Sequence, residues 1–287
     1  SAFEVLRKRI DKFGVTQPNI QRIGNSGRIL VELPGAKEIE RVKGLLQSTA
    51  QLEFWDAFKG EEFGTFIFQA NDVLKELVDS DVEVDSDPTE SAEDAISNII
   101  GDTDAETGDD RDVNPLIDLI RSPGYNGGPV IASFEQKDKQ LVTDYLNNPQ
   151  VRALLSPEQR YAKFVWGIPQ VEQTVGDNPQ NIELVELYAL KGNRDDTPPL
   201  SGAVITDARQ AYQQNGSPSV SMQMNLKGAK VWEEMTGNAF NTAGQIAIVL
   251  DEIVYSAPGV TTGPIAGGNS EISGSFTLNE AVDLANV

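Results

Sequence analysis

Residues 245–259, QIAIVLDEIVYSAPG, read as a β-hairpin, and they decide how the rest of the chain is read. Ile246, Ala247, Ile248, Val249 and Leu250 form an apolar, β-branched run with almost no polar alternation, the pattern of a strand covered on both faces. Asp251 and Glu252 make the turn. The return strand from Ile253 ends at Ala257-Pro258-Gly259, because proline cannot donate to a ladder and glycine frees the backbone. After it, Gly267-Gly268 opens a glycine-rich return through Gly274 with a short strand inside it. Thr277-Leu278-Asn279-Glu280 then starts a helix with the spacing of a capping box.

Working outward, the chain has 287 residues, enough for two ordinary domains, and its 39% hydrophobic content can fill their cores. Cysteine and histidine are both absent. That removes disulfides, thiolate and imidazole metal sites, and Ser-His-Asp or Cys-His nucleophile systems. No catalytic residue, cofactor or metal is expected. A net charge of −21 opposes contact with phosphate backbones, so no nucleic-acid partner is expected. The charge is uneven: residues 79–112 hold 14 acids against Arg111, whereas residues 1–58 hold 9 basic residues against 7 acids. No run approaches the ~18 consecutive apolar residues of a membrane span, so the sequence reads as a soluble piece.

At the N-terminal end, Phe3, Leu6, Ile10 and Phe13 repeat at helical spacing over 2–13, with Gly14 as C-cap. Residues 19–23 and 28–33 read as two strands, 38–47 as a helix and 51–58 as a third strand. Helix, strand, strand, helix, strand is the split βαβ of a ferredoxin-like fold whose first strand is missing. Beyond it the periodicity predicts helices over 63–78, 114–121, 134–146 and 151–155, giving a mainly helical, acidic insertion from 59 to 160. Residues 163–166 and 182–190 read as strands, 195–199 as a linker, 206–214 as a short helix, 220–224 as a strand and 227–240 as a helix. The whole is α+β: a base lobe at 1–58 completed by 272–287, the insertion, and an α+β head at 161–271.

The run IAIVLDEIVYSAP, the spaced glycines and FTLNEAVDLA resemble the C-terminal part of the large periplasmic domain of the SecD family of protein-export subunits. LSGA at 200–203, TDA at 206–208, VLRKRIDKFGV at 5–15 and RILVELPGAKE at 28–38 are similar to the same family. The resemblance implies a periplasmic location at the bacterial inner membrane, with membrane helices outside this chain. It implies a domain that binds rather than catalyses. Its partners would be unfolded secretory polypeptides, SecF and the Sec channel, and the whole protein would use the proton gradient to help export. Glu252 stands where that family's turn more usually has glycine.

An exported chain is varied in sequence, so its contact is expected to use main-chain pairing or broad apolar surface. Ile253, Tyr255, Pro258 and Val260 are the candidate contacts, with core packing as their alternative role, and Gly267, Gly268 and Gly274 supply backbone freedom. Asp102, Asp104, Glu106 and Gly108 superficially match a calcium loop. An EF-hand, however, needs glycine sixth and a carboxylate twelfth, and here glycine is seventh and Val113 twelfth. A solvated acidic loop is the simpler reading. Glu183 with Glu186 and Glu233 with Glu234 have the spacing of exposed faces, and Trp166 and Trp232 that of core. Acidity and scattered aromatics leave a second reading, a secreted carbohydrate-binding or glycoside-cleaving protein.

Overall fold

The structure, a computed structural model, describes residues 18–24, 28–32, 34, 51–82, 113–173, 180–274 and 277–286. Its strands are β1 (Asn19–Ile23), β2 (Arg28–Glu32), β3 (Leu52–Asp56), β4 (Ile120–Pro123), β5 (Val130–Glu135), β6 (Lys163–Gly167) and β7 (Gln170–Gln173). They continue with β8 (Asn181–Leu190), β9 (Leu200–Ser201), β10 (Ile205–Tyr212), β11 (Pro218–Met224), β12 (Ile246–Leu250), β13 (Ile253–Ser256) and β14 (Asn269–Ile272). The helices are α1 (Gly64–Val82), α2 (Lys139–Asn147), α3 (Pro149–Arg152), α4 (Leu226–Thr242) and α5 (Leu278–Asn286).

One large sheet has the order β4-β5-β8-β6-β13-β12-β3-β9, with β7 also on β8. The sheet curls until its two parts meet. Ala57 bridges Leu190, the Phe58 N–H donates to the Ala189 carbonyl at 2.9 Å, and the Lys191 N–H donates to the Asp56 carbonyl at 2.7 Å. Strands β3, β12, β13, β6 and β8 thereby form a ring of five, too narrow to hold anything but side chains. Trp55, Ala57, Val165, Tyr188, Leu190, Ala247, Val249 and Val254 fill it.

The alternate residues of the same strands face outward and need helices to cover them. Ile246, Ile248, Leu250 and Phe54 pack with Trp232, Met235 and Ala239 of α4, so β12 is buried along its whole length. On the β5–β8–β6 side, Phe134, Val185, Leu187 and Trp166 pack with Phe66, Ala70 and Leu74 of α1 and Val142 and Leu146 of α2. Asn71 of α1 is 1% exposed and pins the returning chain, accepting from the N–H groups of Leu116 and Ile117 at 3.1 and 3.2 Å. A second sheet, β10-β11-β14, packs its Val220, Met222 and Ile272 with Ala281, Leu284 and Ala285 of α5. β1 and β2 pair antiparallel, Asn19↔Glu32 to Ile23↔Arg28.

Several expectations need correction. Residues 206–214 are not a helix but β10, paired with β11 from Ala208↔Met222 to Tyr212↔Pro218. Ala, Arg and Gln favour helix by tenths of a kcal/mol, which a long ladder and the half-buried Ile205 and Ala208 override. The helix expected over 134–146 starts only at Lys139, and the apolar run before it is β5. Residues 114–121 hold a 3-10 turn at Ile117–Leu119 followed by β4. Among its described residues the insertion holds more helix than strand, but it is not a separate helical unit. It lends two strands to the large sheet and shares one core with β6 and β8.

The strand at 51–58 exists as β3, but its neighbours are β12 and β9, both expected in the head. The helices expected at 2–13 and 38–47, and the calcium-like loop at 102–108, lie outside the described residues. Among those described, α5 packs on β10 and β11.

Candidate functional site

The hairpin turn is a two-residue connection with both residues left-handed, Asp251 at φ 49° and Glu252 at φ 65°. This is the type I′ geometry, whose twist matches the flanking strands. Asp251 ties the turn to the start of β3, its Oδ1 accepting from the Gln51 N–H at 3.2 Å and its own N–H donating to the Gln51 carbonyl at 3.3 Å.

Beyond the turn the register runs Leu250↔Ile253, Val249↔Val254, then Ile248↔Ser256. Tyr255 has no opposite residue: it is the extra residue of a β-bulge, a device that re-aims side chains. Its ring packs half-buried against the cluster of Trp232, Ala281 and Leu284. Burial pushes its hydroxyl pKa up, and the carboxylates of Asp283, Glu280 and Asp251 push the same way. The hairpin continues past the strand proper, with the Ile246 N–H donating to the Pro258 carbonyl at 3.1 Å and Gly259 bridging Gln245.

Of the four candidate contacts, Tyr255 and Val260 lean on the same core cluster, Ile253 sits beside Trp166 of β6, and Pro258 is half-buried at the exit. Each keeps part of its apolar surface open. Gly267 and Gly268 have left-handed backbones, φ 81° and 74°. At Gly268 a Cβ would stand 2.8 Å from that of Ala229, so only glycine lets this turn close onto α4. Gly274 lies in the link from β14 to α5.

Sequence reasoning missed how β13 parts from its neighbour. β6 and β13 are parallel and share only the pairs Ile253↔Trp166 and Val254↔Gly167. Past Gly167 the first chain bends through Ile168 and Pro169 into β7, which pairs with β8. β7 is four exposed residues, QVEQ, with a single apolar side chain, so nothing in its own sequence announces a strand.

The remaining candidates fall into structural roles. Trp166 and Trp232, 6% and 5% exposed, make edge-to-face contacts with Phe134 at 5.7 Å and Phe54 at 5.4 Å. Glu186 accepts the Tyr188 hydroxyl at 2.5 Å, and Glu233 and Glu234 are exposed on α4. Among the described residues no three potential metal-ligating side chains come together, and no helix is long and apolar enough to cross a membrane.

Comparison with known proteins adds the following. The family model described as the P1 head subdomain of SecDF matches residues 187–287, and that of the N-terminal P1 domain of protein translocase subunit SecDF matches residues 1–58. The chain is 35% identical over 301 residues to the protein translocase subunit SecD of Rhodothermus marinus, covering 100% of this chain and 43% of that protein. To the SecD of Anaeromyxobacter dehalogenans it is 28% identical over 291 residues, covering 99% of this chain and 41% of that one. A solved structure of SecDF, described as a membrane component that enhances protein export, aligns with 99% of this chain and 83% of its own at 24% identity and a TM-score of 0.44. This chain spans less than half the length of these two relatives.

Proposed function

This chain belongs to the SecD family of protein translocase subunits, as the periplasmic P1 domain of such a subunit, and from that premise we propose that it holds unfolded secretory polypeptides at the exit of its β12–β13 hairpin. The observation that carries the reading is the end of β13. Its ladder with β6 stops at Val254, and the half-buried Tyr255, Pro258 and Val260 follow directly. A main-chain edge beside modest apolar surface suits a ligand whose sequence changes from one cargo to the next.

In the whole protein this domain works with SecF at the Sec channel, and export draws on the proton gradient through the membrane part. A base lobe of residues 1–58 and 272–287 next to the membrane, and its ferredoxin-like form, belong to the same proposal, with the amendment that β3 is given over to the head sheet and α5 packs on β10 and β11. Gly267, Gly268 and Gly274 set the backbone that links the head to α5. The carbohydrate reading has no support: the relatives are named translocase subunits.

The test is photo-crosslinking. Benzoylphenylalanine at Tyr255 and at Val260 captures an unfolded secretory protein, whereas the same group at the exposed Gln21 or Arg28 of β1 and β2 captures much less. Equal capture at all four positions puts the contact elsewhere.

A further inference from the structure

Where β13 and β6 part, two strand edges are left without a ladder among the described residues. β7 is hydrogen-bonded to β8 on one side, and Tyr255–Ser256 of β13 follow β12 on one side. Their other sides carry main-chain N–H and C=O groups, and both edges open from the same point, the pair Val254↔Gly167. β7 and the stretch of β8 that it pairs with form an exposed two-stranded arm; Val171 is 65% exposed. Exposed edges are usually blunted by lysine, by proline within the strand, or by a covering element. Gln170-Val171-Glu172-Gln173 has neither residue.

We propose that the notch between β7 and the end of β13 is a strand-addition site, taking one extended polypeptide segment whose main chain pairs with both edges. This rests on the polypeptide-holding reading and adds β7 as a second wall. Strands in a sheet lie about 4.8 Å apart. A segment seated between two edges therefore bonds on both sides, which a single extended chain can do and a folded surface cannot. The arm's acidic residues are Glu172 of β7 and Glu183 of β8, on a chain of net −21. Segments carrying Lys or Arg are therefore held more tightly than acidic ones, and the preference fades with salt.

The probe is a short fluorescein-labelled peptide of alternating Val and Thr with lysine ends, titrated against the full chain by anisotropy. Two further versions carry N-methyl groups on one or the other alternate set of residues, deleting the main-chain donors that point to one side. Each version binds about tenfold more weakly, the effect of losing two or more hydrogen bonds. Benzoylphenylalanine at the exposed Val171 captures the unmethylated peptide as well as that at Tyr255 does. Insensitivity to methylation of either set, or capture at Tyr255 without capture at Val171, overturns the notch and leaves the wider reading standing. No binding of the peptide, together with no capture of an unfolded secretory protein at Tyr255 or Val260, overturns both.

Discussion

Gln51 and Asp251, 200 residues apart in sequence, are joined by two hydrogen bonds: the Gln51 N–H to Asp251 Oδ1 at 3.2 Å and the Asp251 N–H to the Gln51 carbonyl at 3.3 Å. The hairpin turn is thus held in place by the residue just before the strand beside it. The aspartate has a second duty, since its short polar side chain tolerates the left-handed backbone better than alanine does. Asp251→Ala is expected to lower stability by about 1–2 kcal/mol in urea denaturation, and Asp251→Asn by much less.

Glu252 at φ 65° bears the opposite prediction. A type I′ turn favours glycine at its second position, and a side chain there is strained. Glu252→Gly should stabilise the fold by about 0.5–1 kcal/mol, the relieved strain outweighing the extra freedom of the unfolded chain. A midpoint that falls on this substitution would show that the carboxylate makes a contact worth more than the strain.

Leu190 is 0% exposed inside the five-strand ring, next to the Ala57 bridge that closes it. Leu190→Ala is expected to cost about 2–5 kcal/mol, because a ring of bonded strands collapses poorly around a cavity. Leu30→Ala, at 42% exposure in β2, should stay within about 0.5 kcal/mol.

Tyr188 titrates well above its ordinary 10.0, chiefly because it is buried and also because its hydroxyl donates to Glu186. The unfolded chain therefore loses this proton first as the solution becomes alkaline. Its contribution to stability is complete below pH 10 and declines as pH rises beyond that, by up to about 1.4 kcal/mol per pH unit. Tyr188→Phe should flatten that decline when unfolding is followed between about pH 9 and pH 11. An unchanged slope would place the alkaline sensitivity at other groups, Tyr255 among them.

Where a signal is local, the sequence carries it. The run 246–250 is apolar on both faces and becomes β12. Thr277 and Glu280 have capping-box spacing and form the box, the Thr277 N–H donating to Glu280 at 2.7 Å and the Glu280 N–H to Thr277 Oγ1 at 3.2 Å. What failed was decided by distant partners. β10 has the composition of a helix and is a strand because β11 lies beside it. β5 was hidden under a helical period beginning at Phe134. Ring closure depends on Ala57 meeting Leu190, and no window of sequence contains both. Of the candidate site, the hairpin could be read, but the notch could not, because an edge is defined by the strand that is missing from it.

The Gln51–Asp251 stitch and the ring it borders also set the order in which the molecule can fold. β3 is made early, yet both of its neighbours come later: β9 near residue 200 and β12 near residue 250. A chain that emerges N-terminus first must keep Phe54 and Trp55 uncovered until those strands arrive, so this contact order makes the ring a late and slow step. A fragment ending before Ile246 keeps β9 on one edge of β3 but has no β12 for the other edge and no route to a closed ring. Truncating the chain from its C-terminal side should abolish cooperative unfolding altogether rather than trim it in proportion.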